Sequence, residues 1–158
     1  WEQVVKMNEY QQNRIVSKLM KSQFNTIAGK KIAILGFAFK ADTGDTRESP
    51  AISIVRQLAE EKAEIVISDP QAIKNAKIEL KDLENISYTE DPYDALEGAH
   101  VAVVMTEWSI YKGLDYQKVH DLMETPSTIF DTRNILDHQE LFDFGFNVYP
   151  IGKRPLTH

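Results

Sequence analysis

The stretch Lys31-Ile-Ala-Ile-Leu-Gly-Phe-Ala-Phe-Lys-Ala-Asp-Thr-Gly-Asp-Thr-Arg-Glu-Ser-Pro50 decides how this chain folds. Its opening run, Ile32 to Leu35, is apolar and partly β-branched, as a strand buried on both faces would be. Gly36 ends the run. A polar loop follows, carrying Lys40 and Arg47 among acidic and hydroxyl residues. Ser49-Pro50 then has the order of a helix start, serine as N-cap and proline at the first helical position. In an open parallel sheet such a loop lies at the carboxyl ends of the strands, where ligands bind. A helix N-terminus beside a lysine and an arginine suits a phosphate. On charge alone a plainer reading is the stronger one: a solvated loop whose cations pair with Asp42, Asp45 and Glu48.

Upstream, residues 1 to about 24 read as a helix, uninterrupted by glycine or proline, with Val4, Val5, Ile15, Val16, Leu19, Met20 and Phe24 as its apolar positions. It begins at Trp1 with no initiator methionine and no cap, which leads us to expect a piece of a longer chain. Downstream, residues 50–62 form an amphipathic helix with Ile52, Val55, Leu58 and Ala59 on one face. A second strand, Glu64 to Ser68, ends at Asp69-Pro70. An acid there is where a dinucleotide-binding unit holds a ribose. The first turn, however, has only Gly36 and then Gly44 in place of G-x-G-x-x-G, so Asp69 reads better as a turn-former. Residues 71–84 are a lysine-rich crossover, helical or irregular. Asn85 to Tyr88 is a short strand, and Asp91 caps a helix from Pro92 to Leu96 that ends at Gly98.

The run His100 to Met105 is a fourth strand, with Thr106-Glu107-Trp108 at its carboxyl end and Trp108 as a core lid. A helix from Asp115 to Met123 leads to a fifth strand, Ser127 to Phe130, and to the loop Asp131-Thr-Arg-Asn134. A helix from His138 to Phe144, closed by Gly145, precedes a last strand, Phe146 to Tyr149; the tail from Ile151 is expected to fray. This alternation predicts an α/β architecture, a doubly wound and mainly parallel sheet of about five to six strands preceded by a long helix. Three loops, 36–49, 106–112 and 131–135, would then meet at one sheet edge and bring Lys40, Arg47 and Arg133 there. Spacing alone makes Phe39 a core plug beneath the first loop.

The net charge of −6 argues against a nucleic-acid partner, which needs a basic face. A nucleotide ligand is not excluded, because a few local cations suffice for one diphosphate. No apolar run reaches membrane-spanning length, and the chain opens without a secretory signal, so no membrane partner is expected. There are no cysteines, which removes disulfides, thiolate metal sites and a cysteine nucleophile from the chain. The four histidines, His100, His120, His138 and His158, lack metal-ligand spacing and read as structural or surface residues.

Gly36-Phe-Ala-Phe-Lys40 followed by Asp42-Thr-Gly-Asp-Thr-Arg-Glu-Ser49 resembles the signature loop of the UDP-binding domain of UDP-glucose 6-dehydrogenases. Thr106-Glu107-Trp108, Phe130-Asp-Thr-Arg133 and Asn8-Glu-Tyr-Gln11 extend the resemblance over nearly the whole chain. It implies a Rossmann-like, UDP-sugar-binding domain over residues 27–158. Residues 1–26 would belong to a central helix that joins this domain to an N-terminal NAD-binding domain and builds the dimer. Phe39, Lys40 and Arg133 match substrate-contacting positions, and Arg47 matches an arginine that touches NAD held by the other domain. Ala41 and Asn134 stand where many relatives carry basic residues.

The family's reaction is a two-step, NAD-dependent oxidation of UDP-glucose to UDP-glucuronate for polysaccharide biosynthesis. It passes through a cysteine nucleophile, so no catalytic residue is assigned here and the chain alone is expected to be inactive. A cytoplasmic homo-oligomer is implied. The alternatives are a free-standing nucleotide-binding module, an ordinary NAD-binding domain, or the same domain of a dehydrogenase for another nucleotide sugar.

Overall fold

The computed structural model describes the chain from Glu2, with side chains described from Tyr10 onward. Trp1 and the side chains of Val4 and Val5 therefore lie outside the described residues. Six strands make one parallel sheet: β1 (Lys31–Leu35), β2 (Glu64–Ser68), β3 (Ile86–Thr89), β4 (Val101–Val104), β5 (Thr128–Asp131) and β6 (Asn147–Pro150). Their order is β3-β2-β1-β4-β5-β6. The chain order reverses between β1 and β4, so the crevice for a ligand opens there, beyond the carboxyl ends of the strands. Ile34 lies in register with Ile67 on one side and Val103 on the other. Both central strands are buried on both faces from Ile32 to Leu35 and from Val101 to Val104, which is why they read as continuous apolar runs.

The helices that connect or precede these strands are α1 (Glu2–Ser22), α2 (Pro50–Glu60), α3 (Ile73–Glu79), α4 (Pro92–Leu96), α5 (Ser109–Lys112), α6 (Tyr116–Leu122) and α7 (His138–Phe144). In α2 the cap is as the sequence predicts: Ser49 Oγ accepts from Ala51 N–H at 3.3 Å, and Pro50 opens the helix. Its buried face is Ala51, Ile54, Val55 and Leu58, with Ile52 and Ala59 half-buried at the margin. The face is thus turned slightly from the one expected, because Ile54 rather than Ile52 is fully buried. Each large apolar side chain on it contributes about 1.5–3 kcal/mol on burial. Helix α1 packs beside α2, burying Val16 and Leu19.

The end of α1 and the tail also depart from expectation. Phe24 lies past the end of α1 in a left-handed turn (φ 59°) and is 83% exposed, so it is no part of the helix's apolar face. The tail is pinned rather than frayed. Val148 and Leu156 exchange two backbone hydrogen bonds of 2.8 Å, and His158 stacks on Phe142 with ring centroids 4.1 Å apart. These contacts cover the outer edge of β6, which would otherwise present unpaired backbone groups. No described helix is long and apolar enough to cross a membrane.

Candidate functional site

The crevice begins where β1 meets β4. Gly36 has φ 96°, and a Cβ placed on it would come within 2.4 Å of Thr106 Cβ, so only glycine lets the two strand ends approach. Thr106, wholly buried, donates from Oγ1 to Ala38 O at 2.9 Å, tying the loop after β4 to the loop after β1. Ser49 Oγ donates to Phe37 O at 2.8 Å, fastening the far end of the same loop back to its start. Within it, Asp42 and Glu48 hold left-handed backbone (φ 66° and 60°). Such non-glycine residues cost about 1–3 kcal/mol each and persist only where surrounding bonds fix them.

Asp69 fixes the start of the same loop. The residue is fully buried. Its Oδ2 accepts from Phe37 N–H (2.8 Å), Ala38 N–H (3.0 Å) and Trp108 Nε1–H (3.2 Å), and its Oδ1 from Gln71 N–H (2.8 Å) and Ala72 N–H (2.7 Å). The turn-former reading of Asp69 therefore holds and is incomplete, since the same carboxylate also organises the signature loop. Trp108 is a core lid, 6% exposed. Tyr111 is buried below it and donates to Ser68 O at 3.1 Å; burial first, then the nearby Asp69 and Tyr116, pushes its phenol far above the usual range. It remains a protonated donor.

A second buried acid, Asp131 at the end of β5, shapes the third loop. Its Oδ1 accepts from Arg133 N–H at 3.1 Å, and its Oδ2 from Leu136 N–H at 2.9 Å and lies 2.8 Å from His138 Nε2. The Arg133 side chain crosses the crevice. Its Nε donates to the Met105 carbonyl at 3.0 Å and lies 3.6 Å from Glu107 Oε2, while Glu107 Oε1 accepts from Ala41 N–H at 3.2 Å. Glu107 thus bridges the arginine to the signature loop. Among the described residues the two terminal guanidinium nitrogens of Arg133 donate no hydrogen bond, so its fork is available to an anion.

Arg133 and Phe39 line one hollow of about 330 Å³, with Glu48, Pro50, Met105, Thr132 and Ile151. Phe39 is 44% exposed at this wall, so it is not the core plug that spacing suggested. The loop is held high here, because Phe39 N–H donates to Asp45 O at 2.7 Å and Asp69 anchors the two residues before it. The remaining wall comes from α1, through Gln11, Gln12 and Ile15. A narrower cavity of about 110 Å³ adjoins it, between Arg14 and Lys18 of α1 and the stacked Phe130 and Tyr149.

The other two cations are placed differently. Lys40 is exposed beside Phe39 and outside the hollow's lining. Arg47 points to solvent, its side chain 85% exposed, with Nε and one terminal nitrogen on the Asp45 carboxylate at 3.0 and 2.9 Å. That is the ion pair the plainer reading expected. Hydrogen bonds from Arg47 hold the Asp45 carboxyl down at about 2. The structure thus brings Arg133 and Phe39 together, leaves Lys40 at the rim, and turns Arg47 to Asp45. The contributions of Asp69, Asp131, Glu107 and α1 were not foreseen. A bonded carboxylate looks like any other acid in a sequence, and a long helix does not advertise which face meets a crevice.

A family model described as the UDP binding domain of the UDP-glucose/GDP-mannose dehydrogenase family matches residues 33–138. The chain is 45% identical to UDP-glucose 6-dehydrogenase 4 of Arabidopsis thaliana and 44% identical to UDP-glucose 6-dehydrogenase 4 of Oryza sativa subsp. japonica. Each match covers 97% of this chain and 36% of the relative, so the chain spans about a third of the length of these curated relatives. A solved UDP-glucose dehydrogenase from the hyperthermophilic archaeon Pyrobaculum islandicum superimposes with a TM-score of 0.67 at 31% identity, over 81% of this chain and 27% of that one.

Proposed function

Because this chain belongs to the UDP-glucose/GDP-mannose dehydrogenase family through its UDP-binding domain, we propose that its hollow holds the diphosphate of a UDP-sugar. The chain is then the UDP-binding portion of a UDP-glucose 6-dehydrogenase. The observation that carries this is the guanidinium fork of Arg133, whose terminal nitrogens donate no hydrogen bond among the described residues, lining one hollow with Phe39. A planar fork matches two phosphate oxygens at once, whereas Lys40 at the rim offers a mobile point charge. Phe39 gives an apolar face to a ribose or sugar ring. The acidic neighbours do not cancel the site. Glu107 faces the Nε edge of Arg133 and leaves its outer edge to the ligand.

The residues at the heads of β1 and β2 do not fit a dinucleotide. The first turn lacks the glycine fingerprint, and Asp69 spends both carboxylate oxygens on the protein's own N–H groups. NAD is therefore assigned to an N-terminal domain beyond this chain, with Arg47 leaving Asp45 to reach it. Residues 1–26 are assigned to the helix that links the domains and pairs subunits in a homo-oligomer, and 27–158 to the UDP-sugar domain. Gln11, Gln12 and Ile15 make that helix part of the site's wall as well. With no cysteine the chain binds without oxidising, and the complete enzyme makes UDP-glucuronate for polysaccharide synthesis in the cytoplasm. UDP-glucose is preferred over other nucleotide sugars on the wording of residues 36–49 and on the names of the relatives.

Calorimetric titration tests the assignment. UDP should bind the chain at one site, and both Lys40→Ala and Arg133→Ala should weaken it. Saturable NAD binding without UDP binding would overturn it.

A further inference from the structure

Asp69 occupies the position at which a dinucleotide-binding fold holds a ribose, yet its carboxylate faces inward. We infer that Asp69 is a positioning residue for the nucleotide-sugar site, acting through the backbone of Phe37 and Ala38 to set Phe39 and Lys40. The inference rests on the UDP-binding reading given above.

Three observations carry it. First, the group is wholly buried, and its Oδ2 takes the two consecutive N–H groups immediately before the Phe39-Lys40 pair at 2.8 and 3.0 Å. Secondly, the same oxygen takes Trp108 Nε1–H at 3.2 Å, so one atom joins the loop after β1 to the loop after β4, from which Glu107 reaches Arg133. Thirdly, Oδ1 takes Gln71 and Ala72 N–H at 2.8 and 2.7 Å, which prevents the carboxylate from swinging away. A carboxylate offers acceptor lone pairs on both oxygens, and the five donors around it need a group with no hydrogen to give. An asparagine cannot serve. Whichever side its NH2 faces, donors on that side meet a donor, and buried N–H groups are left without a partner.

Two measurements decide the matter. In the unmodified chain, hydrogen exchange followed by NMR should find the Phe37 and Ala38 amides protected before any ligand is added, well above exposed loop amides such as that of Asp42. In Asp69→Asn, UDP affinity should fall about tenfold or more, with faster exchange at those two amides and a shifted Trp108 emission. Trp108→Phe, which leaves the two backbone bonds in place, should lose less than Asp69→Asn does. Fast exchange at Phe37 and Ala38 in the unmodified chain overturns the inference even if Asp69→Asn does not fold. A folded Asp69→Asn with undiminished UDP affinity also overturns it. If the unmodified chain binds no UDP, the ligand assignment falls, and the exchange measurement still decides whether Asp69 holds the loop.

Discussion

At the scale of single residues the site is built from groups held by one edge and free at the other. Arg133 is gripped at Nε by the Met105 carbonyl and Glu107, and its fork is open among the described residues. Replacing it by alanine should cost about 1.5–3 kcal/mol of UDP binding, the range for hydrogen bonds to charged groups, as read by calorimetry; equal affinity would remove it from the site. Arg47 is the contrasting case, since it is already bonded to Asp45. The folded Asp45 carboxyl lies at about 2, below its usual 3.8. The stabilisation from this pair is therefore fully present above about 3.8 and is lost as pH falls through about 2. A carboxyl-carbon NMR titration should give a midpoint near 2 that moves back up in Arg47→Ala. A midpoint unmoved by that substitution would show that the pair does not set it. Arg47 therefore keeps Nε and one terminal nitrogen on Asp45 at neutral pH, with its other terminal nitrogen turned away from that pair.

At the scale of elements, the strand-end contacts decide how well the loops are fixed. Gly36 combines φ 96° with a Cβ contact of 2.4 Å, whereas Gly29 has φ 75° and open space around it. Gly36→Ala should therefore cost on the order of 3 kcal/mol or more, from backbone strain and overpacking together. Gly29→Ala should cost only about 1–2 kcal/mol for the left-handed backbone. Equal losses in denaturant unfolding would refute the close-approach argument. Ser49→Ala removes an N-cap and the bond to Phe37 O, and should cost about 1–2 kcal/mol. The cap and the central strands were legible because their signals are local: an apolar run, a glycine, then serine and proline. Phe39 was not. Its exposure follows from Asp69, thirty residues further on and bonded to the loop's first amides, and no local pattern reports a bond of that kind. The same holds for Leu156, whose pairing with Val148 depends on the sheet already being built.

At the scale of the whole molecule, the order of strands puts the hollow at the point where the chain reverses direction through the sheet. The fold was readable to that level because each strand–helix pair carries its own punctuation. The composition of the site was readable only in part. The loops at the strand ends were expected, but the share taken by α1 was not, because a helix outside the sheet leaves no mark on the sheet's pattern. The tail also belongs to this scale. Removing residues 153–158 should destabilise the chain by about 1–3 kcal/mol, through two lost backbone bonds with Val148, the hydrogen bonds of His158 to Asn147 and Phe142, and one aromatic contact. It should also promote self-association along the bared edge of β6, as seen by light scattering. A shortened chain of unchanged stability would show the tail to be incidental. A paired calorimetric titration of the chain with UDP and with NAD, repeated on Arg133→Ala, asks directly whether the hollow holds a UDP diphosphate. One UDP site is expected, weakened about tenfold or more by the substitution, with no comparable NAD site. NAD binding with UDP inert, or UDP binding indifferent to Arg133, would contradict it.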